Sequence, residues 1–394
     1  MTASRTSVLL RPRTSALLRG FARSVLRVAS TVVRPVRQVV VYGYPETEGN
    51  AIEVAGALLR SYPGDVVWLS LDGGSAVARY AHDEKLKIVP KNSWRGVLAY
   101  LQAEAVFFTH GLYGSPRPVR RKPLINLWHG DGPKGHAMGG RQVIPSTYLI
   151  GSTCLFSNAT ARLFGVAPEK VLLTGNPRTD QFWRPVDADA LTGLGITLPF
   201  VVWMPTFRRA AAIGRTAAWS DTSSLQSNDR LAAGVQTLGE RLQQSGVQLV
   251  IKPHPMDAED RRIPGSTVVT NASLSSSGVD LYSLLGASAG LVTDYSSVWV
   301  DYLLLDRPLG FLMSDREEYE NGRGLEPPDV LDWLPGTDID DMSSIEEFVE
   351  DVVSGGSGTL SLRAAARARV GLVESQQGAQ DLVSVLQKRS IISS

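Results

Sequence analysis

The sequence predicts an α/β fold: two doubly wound, parallel-sheet domains that face each other across a cleft. Three observations predict it. From Gln38 onward, short apolar runs alternate with helical or loop segments, the pattern of a parallel sheet covered on both faces. A second alternating series starts at Pro199–Met204 (PFVVWM). The length, 394 residues, suits two domains. Facing domains of this kind place their cleft at the carboxyl ends of both sheets.

The chain begins with an unusual arm. Up to Gln38 it carries Arg5, Arg11, Arg13, Arg19, Arg23, Arg27, Arg34 and Arg37 and no acid; the first acid is Glu46. Leu17, Leu18, Phe21, Val25, Val28 and Val32 recur at helical spacing, beside a separate row of Arg19, Arg23 and Arg27. This is a basic amphipathic helix that ends near Pro35, of the kind that lies on an anionic membrane surface. A transit peptide, a solvated arm and a partner-binding helix share the pattern. Arginines interrupt every apolar core that a secretory signal would need.

Gln38–Tyr44 reads as the first buried strand, and Asn50 as the cap of a helix over Ala51–Arg60. Strand-like runs follow at Val66–Ser70, Leu86–Pro90, Ala105–Thr109, Leu124–Trp128 and Val171–Gly175. They place a first domain at 38–180, after the arm at 1–37. In the second domain, 181–394, Arg208–Asp229 is a long loop of the functional or mobile kind. Leu231–Gln244 is a helix; Val247–Lys252 and Ser266–Thr270 are strands. Asp280–Leu285 is helical, and Gly290–Met313 reads as strand, tight turn, helix, strand. Helices over Ser344–Val353 and Leu360–Leu386 close the chain.

Composition narrows the function. The chain is 43% hydrophobic and 20% charged, as soluble globular proteins are, and a net charge of +1 carries no global signal for nucleic acid. A single cysteine, Cys154, excludes an intrachain disulfide framework and fits a reducing cytosol. No apolar run approaches the ~20 residues of a membrane span. The histidines are His82, His110, His129, His136 and His254, with no paired zinc-ligand spacing.

Polar clusters follow the expected strands. In Trp128-His129-Gly130-Asp131-Gly132-Pro133-Lys134-Gly135, a histidine at a strand end is followed by glycines. Imidazole near its unperturbed pKa of ~6.5 can take a proton from a hydroxyl at neutral pH; a structural histidine in a turn reads the same. Gly175-Asn176-Pro177-Arg178-Thr179-Asp180 supplies a guanidinium or simply an interdomain turn. Thr206, Arg208 and Arg209 suit an anionic ligand, or are solvated. Prolines bracket His254 in Lys252-Pro253-His254-Pro255, as a phosphate clamp or a stiff segment. Thr293–Ser297 can cap a helix or receive a diphosphate at its start.

Taken in order, WHGDGPKG, GNPRTD, MPTFRR, KPHP and TDYSSVWVDYLLLDRPLGFLMSDREEYENGRG resemble the CDP-glycerol glycerophosphotransferase family of wall teichoic acid synthesis, of primase and polymerase type. The resemblance runs from about residue 120 to 325. It implies a GT-B fold of two Rossmann-like domains, the first for the acceptor and the second for the donor. It implies transfer of glycerol phosphate or ribitol phosphate from CDP-glycerol or CDP-ribitol to a lipid-linked acceptor, with release of CMP, at the cytoplasmic face of the membrane. His129 then resembles the family's general base, and His254 the histidine at the donor diphosphate. Thr293, Ser296 and Ser297 match the donor phosphate cradle, with Arg208, Lys252 and Asp301 on the donor side. Gly130, Lys134, Asn176, Arg178 and Thr206 join the expected substrate-binding set. Asp131 departs from the family, which often has threonine there.

No cofactor is expected. None of the polar clusters carries a DxD, and charge stabilisation is expected without a metal. Expected partners are the CDP-alditol, the lipid-linked acceptor and an anionic membrane surface, with self-association as a homo-oligomer a further expectation. Two other classes compete: a GT-B glycosyltransferase using a nucleotide sugar, and a non-enzymatic, membrane-associated nucleotide-binding protein. In the glycosyltransferase reading the attacked atom is carbon rather than phosphorus. The paired His129 and His254 oppose the non-enzymatic class.

Overall fold

The computed structural model describes residues 12–47, 49–134, 144–197, 199–206, 224–254, 263–322 and 324–394. Two parallel sheets form its frame. The first holds β1 (Gln38–Tyr42), β2 (Asp65–Ser70), β3 (Leu86–Pro90), β4 (Ala105–Phe108), β5 (Leu124–Asn126), β6 (Tyr148–Gly151) and β7 (Val171–Leu173), in the spatial order β3-β2-β1-β4-β5-β6-β7. The second holds β8 (Phe200–Trp203), β9 (Gln248–Ile251), β10 (Ser266–Val268), β11 (Gly290–Thr293), β12 (Leu309–Phe311) and β13 (Thr337–Asp338), in the order β10-β9-β8-β11-β12-β13. Each order reverses once, between β1 and β4 and between β8 and β11. Ligands of open α/β sheets bind beyond the strand carboxyl ends at such reversals.

The apolar runs form these strands because both sheet faces are covered. Along β1, Val39 and Val41 enter one core with Ala51, Val54 and Leu58 of the helix Gly49–Ser61. Val40 and Tyr42 enter the opposite core with Ala99 and Tyr100 of the helix Trp94–Gln102. Burying each such large side chain contributes about 1.5–3 kcal/mol. In the second sheet, Val202, Val250 and Leu291 face one core and Val201, Ile251 and Val292 the other.

The last apolar run differs from the single helix expected over Leu360–Leu386. It forms two helices, Leu360–Val370 and Gly378–Lys388. Gly371, at φ 61°, ends the first in the left-handed conformation that favours glycine. The second returns to the first sheet, where Ala379, Leu382, Val383 and Leu386 share a core with β1. β6 and the helix Cys154–Phe164 add elements that the sequence reading did not anticipate.

A helix spans Pro12–Val32, ahead of Pro35. It packs on the helix Trp94–Gln102, with Ser30 buried. Its outer face leaves Phe21 70%, Val25 48%, Val28 63% and Val32 72% exposed. No helix among the described residues is long and apolar enough to cross a membrane.

Candidate active site

A cavity of about 470 Å³ opens where the carboxyl ends of the two sheets meet. That is the size of a small-molecule site. His129, Lys134 and Arg178 line it from the first sheet's side; Thr206, Lys252, His254, Ser296 and Ser297 line it from the second.

The His129 loop leaves β5 under strain. Trp128 sits at φ 45°, a region that bulky side chains avoid. The surroundings hold it there. The Asn50 side-chain amide donates to the carbonyls of Leu127 (3.0 Å) and Trp128 (3.3 Å). Arg178 Nη1 donates to the carbonyl of His129 at 2.5 Å. Asn50 lies inside its helix and ties this loop down, rather than capping the helix. Asp131 anchors the other end, where its Oδ2 accepts from the Ser152 amide (2.8 Å) and the Ser157 hydroxyl (2.6 Å). Burial pushes the Asp131 pKa up, against those two serines. Asp131 is therefore a buried anchor, 2% exposed.

The His129 ring stacks on His110, with centroids 4.3 Å apart and planes 9° apart, and lies against Trp128. Burial pushes the His110 pKa down, which favours its neutral form. His110 lies two residues past β4 and His129 three past β5, and β4 and β5 are neighbours. That shared position at adjacent strand ends was a signal available in the sequence.

Glycines let the two walls meet. A Cβ on Gly130, itself at φ 135°, would stand 2.5 Å from Arg178 Nη2 and 2.8 Å from Ser297 Oγ. One on Gly132 would stand 2.4 Å from Ser297 Cβ. The loop is further stitched to the second sheet's side by the Glu326 amide, which donates to the Pro133 carbonyl at 2.9 Å.

On the second wall, Asp294 Oδ2 accepts from the amide (2.8 Å) and hydroxyl (2.9 Å) of Thr206. The Thr293 hydroxyl donates to the Met204 carbonyl at 2.7 Å. These bonds fix the β8 and β11 loops to each other. Ser297 precedes the short helix Val298–Tyr302, but its hydroxyl caps no amide of that helix. Lys252 is buried, its Nζ donating to the Pro253 carbonyl at 3.0 Å. Burial pushes its pKa down to about 8.

Other expected site residues stand behind the wall. Asp301 accepts from Arg178 Nε (3.0 Å) and Nη2 (2.6 Å), from Asn176 Nδ2 (2.7 Å) and from the Tyr282 hydroxyl (2.6 Å). Thr293 and Asn176 are likewise buried, and Gly130 serves as the close-approach point. Arg208 lies outside the described residues. The sequence reading missed Asn50, His110 and Asp294 as supports of the site. It also missed Arg79, which lines the cavity and reaches across it to Asp280 in a two-pronged pair at 2.7 and 2.6 Å.

Residues 45–388 match the family described as CDP-Glycerol:Poly(glycerophosphate) glycerophosphotransferase. The chain is similar to the teichoic acid ribitol-phosphate primase of Bacillus spizizenii, 24% identical over 250 residues, 59% of this chain and 62% of that protein. It is similar to the teichoic acid glycerol-phosphate primase of Bacillus subtilis, 27% identical over 199 residues, 50% of this chain and 47% of that protein. Both matches span less than two thirds of the relative's own length. Among solved structures, the wall teichoic acid polymerase TagF superposes with a TM-score of 0.70 at 18% identity, covering 96% of this chain and 95% of that one. MnaA of S. aureus, solved with UDP, shares the fold at a TM-score of 0.53 and 13% identity, covering 91% and 98%. The family match covers most of the sequence, so the chain belongs to the CDP-glycerol:poly(glycerophosphate) glycerophosphotransferase family.

Proposed function

We propose that this chain transfers glycerol phosphate or ribitol phosphate from a CDP-alditol to a hydroxyl of a lipid-linked acceptor in teichoic-acid-like polymer synthesis. The observation that carries this reading is one cavity with His129 on one wall and Lys252, His254, Ser296 and Ser297 on the other. The acceptor oxygen attacks the phosphorus that bears the alditol, and a phosphodiester bond forms there. The bond from that phosphorus to the bridging oxygen breaks, and its electron pair leaves with CMP. His129 takes the hydroxyl proton, a contribution of about 10²–10⁴-fold. Lys252, His254 and the serine hydroxyls neutralise the diphosphate oxygens as charge moves onto CMP.

In this reading the two lobes form a GT-B enzyme, with the acceptor on the first sheet's side and the donor on the second. Similarity to both ribitol-phosphate and glycerol-phosphate primases supports a CDP-alditol donor. The arginine-rich helix Pro12–Val32, with its apolar outer face, supports peripheral attachment to an anionic membrane.

Release of CMP from CDP-glycerol and CDP-ribitol tests the reading. His129→Ala is expected to abolish transfer while sparing donor binding. Retention of more than about a tenth of wild-type turnover is incompatible with general base work. Phosphorus NMR of the product separates the nucleotide-sugar alternative: a phosphodiester keeps the donor phosphate beside the alditol, and a glycoside does not.

A further inference from the structure

We infer that Asp301 and Asn50 are positioning residues for His129, acting from opposite sides of the cleft without touching the donor. This rests on the role proposed for His129. The carbonyls of three consecutive residues, Leu127, Trp128 and His129, each accept a hydrogen bond from Asn50 or Arg178. The two donors are themselves joined, since the Arg178 amide donates to Asn50 Oδ1 at 3.0 Å. The middle residue of the three, Trp128, holds the positive φ that aims the loop.

The grip reaches across the molecule. Asp301 lies in the helix Val298–Tyr302, directly after the cavity-lining Ser296 and Ser297. Its carboxylate is fully buried, and the Arg178 guanidinium bridges from it to the His129 carbonyl. The guanidinium's planar fork fixes distance and direction together. Asn176 and Tyr282 also donate to Asp301, so four hydrogen bonds from three side chains set its orientation. The turn that carries the serines of one wall therefore runs directly into the helix that carries the counter-ion registering the histidine of the other. Neither Asp301 nor Asn50 lines the cavity.

The experiment uses the full chain. Asp301→Asn keeps the shape and removes the charge that orients Arg178. Asn50→Asp keeps the acceptor for the Arg178 amide and removes the amide donor to the Leu127 and Trp128 carbonyls. Both variants are expected to lose about 100-fold in kcat for CMP release, the effect of roughly 1 Å misplacement of a reacting group. Calorimetric affinity for CDP-glycerol is expected to stay at the wild-type value. Imidazole NMR is a second readout, with five histidines to resolve and His129→Gln to assign the signal. The His129 resonance is expected to move in both variants.

Loss of donor affinity in step with turnover puts Asp301 in the donor site and overturns the inference. So does wild-type turnover in either folded variant, or an unmoved His129 resonance. If Asp301→Asn fails to fold, Asn50→Asp alone decides. A wild-type chain that releases CMP from neither CDP-alditol sinks the functional reading, while the NMR comparison still decides the positioning.

Discussion

Lys252 is buried at the cavity with its ammonium on a main-chain carbonyl, and burial holds its pKa near 8 against an ordinary ~10.4. A diphosphate beside it favours the charged form. Donor affinity is then full below pH 8 and weakens as pH rises through 8, by up to about tenfold per unit until the bound-state pKa is reached. The unliganded fold responds with the opposite sign. Between pH 8 and ~10.4 the unfolded chain holds the proton more tightly, so stability rises with pH in that window. Lys252→Met should weaken CDP-glycerol binding at pH 7 by about 1.5–3 kcal/mol and flatten its dependence above pH 8. Calorimetry at pH 7, 8 and 9 checks this; the same pH slope in the variant places the titration elsewhere. Lys252, His129, His254, Ser296 and Ser297 were legible in the sequence because each follows an apolar strand, and strand ends face the cleft. Arg178 and Asp301 were legible as polar and not as partners. They are 123 positions apart, and only the folded chain brings the carboxylate to the guanidinium.

At the scale of elements, the apolar runs announced the strands, and the differences arose where local signals were weak. β6 has only four residues, Tyr148–Gly151, and is followed at once by Ser152 and Thr153. Thr153 then caps the helix Cys154–Phe164 by accepting from the Phe156 amide, a start signal without a long apolar run behind it. The break at Gly371 was concealed by helix-forming residues on both sides. The His129 loop and the Ser297 turn depend on each other through glycine. Gly132 has no positive φ to require it, so its role there is space. Gly132→Ala must push the Ser297 backbone away, at about 1–3 kcal/mol if the surroundings resist as packed cores do. Turnover should fall because His129 and Ser297 separate. Gly193→Ala is the control, since nothing lies within 4 Å of the added methyl. Thermal unfolding and CMP release on both variants decide it; equal behaviour means that the two loops are not in contact as described.

At the scale of the whole molecule, a net charge of +1 conceals an uneven pattern: eight arginines and no acid lie ahead of β1, and acids appear only from Glu46. The outer stripe was legible from helical spacing. The inner face was not, because the half-buried Leu26 and Ala29 and the buried Ser30 mix apolar and polar residues. That inner packing decides how attachment should be tested. Deleting the arm also uncovers the first domain, so outer-face substitutions are the cleaner probe. Phe21→Ser, Val25→Ser, Val28→Ser and Val32→Ser together remove the exposed apolar stripe and leave the packed face intact. Arg27→Gln with Arg34→Gln removes two exposed charges, each contributing about 1 kcal/mol near an anionic surface. Salt screens that part within a Debye length of ~8–10 Å. The wild-type chain should sediment with anionic vesicles in part even at high salt, since apolar burial does not screen. The serine variant should lose the salt-resistant part, the glutamine variant the salt-sensitive part, and both should keep turnover on a soluble acceptor analogue. A serine variant that sediments like the wild type removes the stripe as the anchor, and a wild-type chain that ignores anionic vesicles at low salt removes membrane attachment itself.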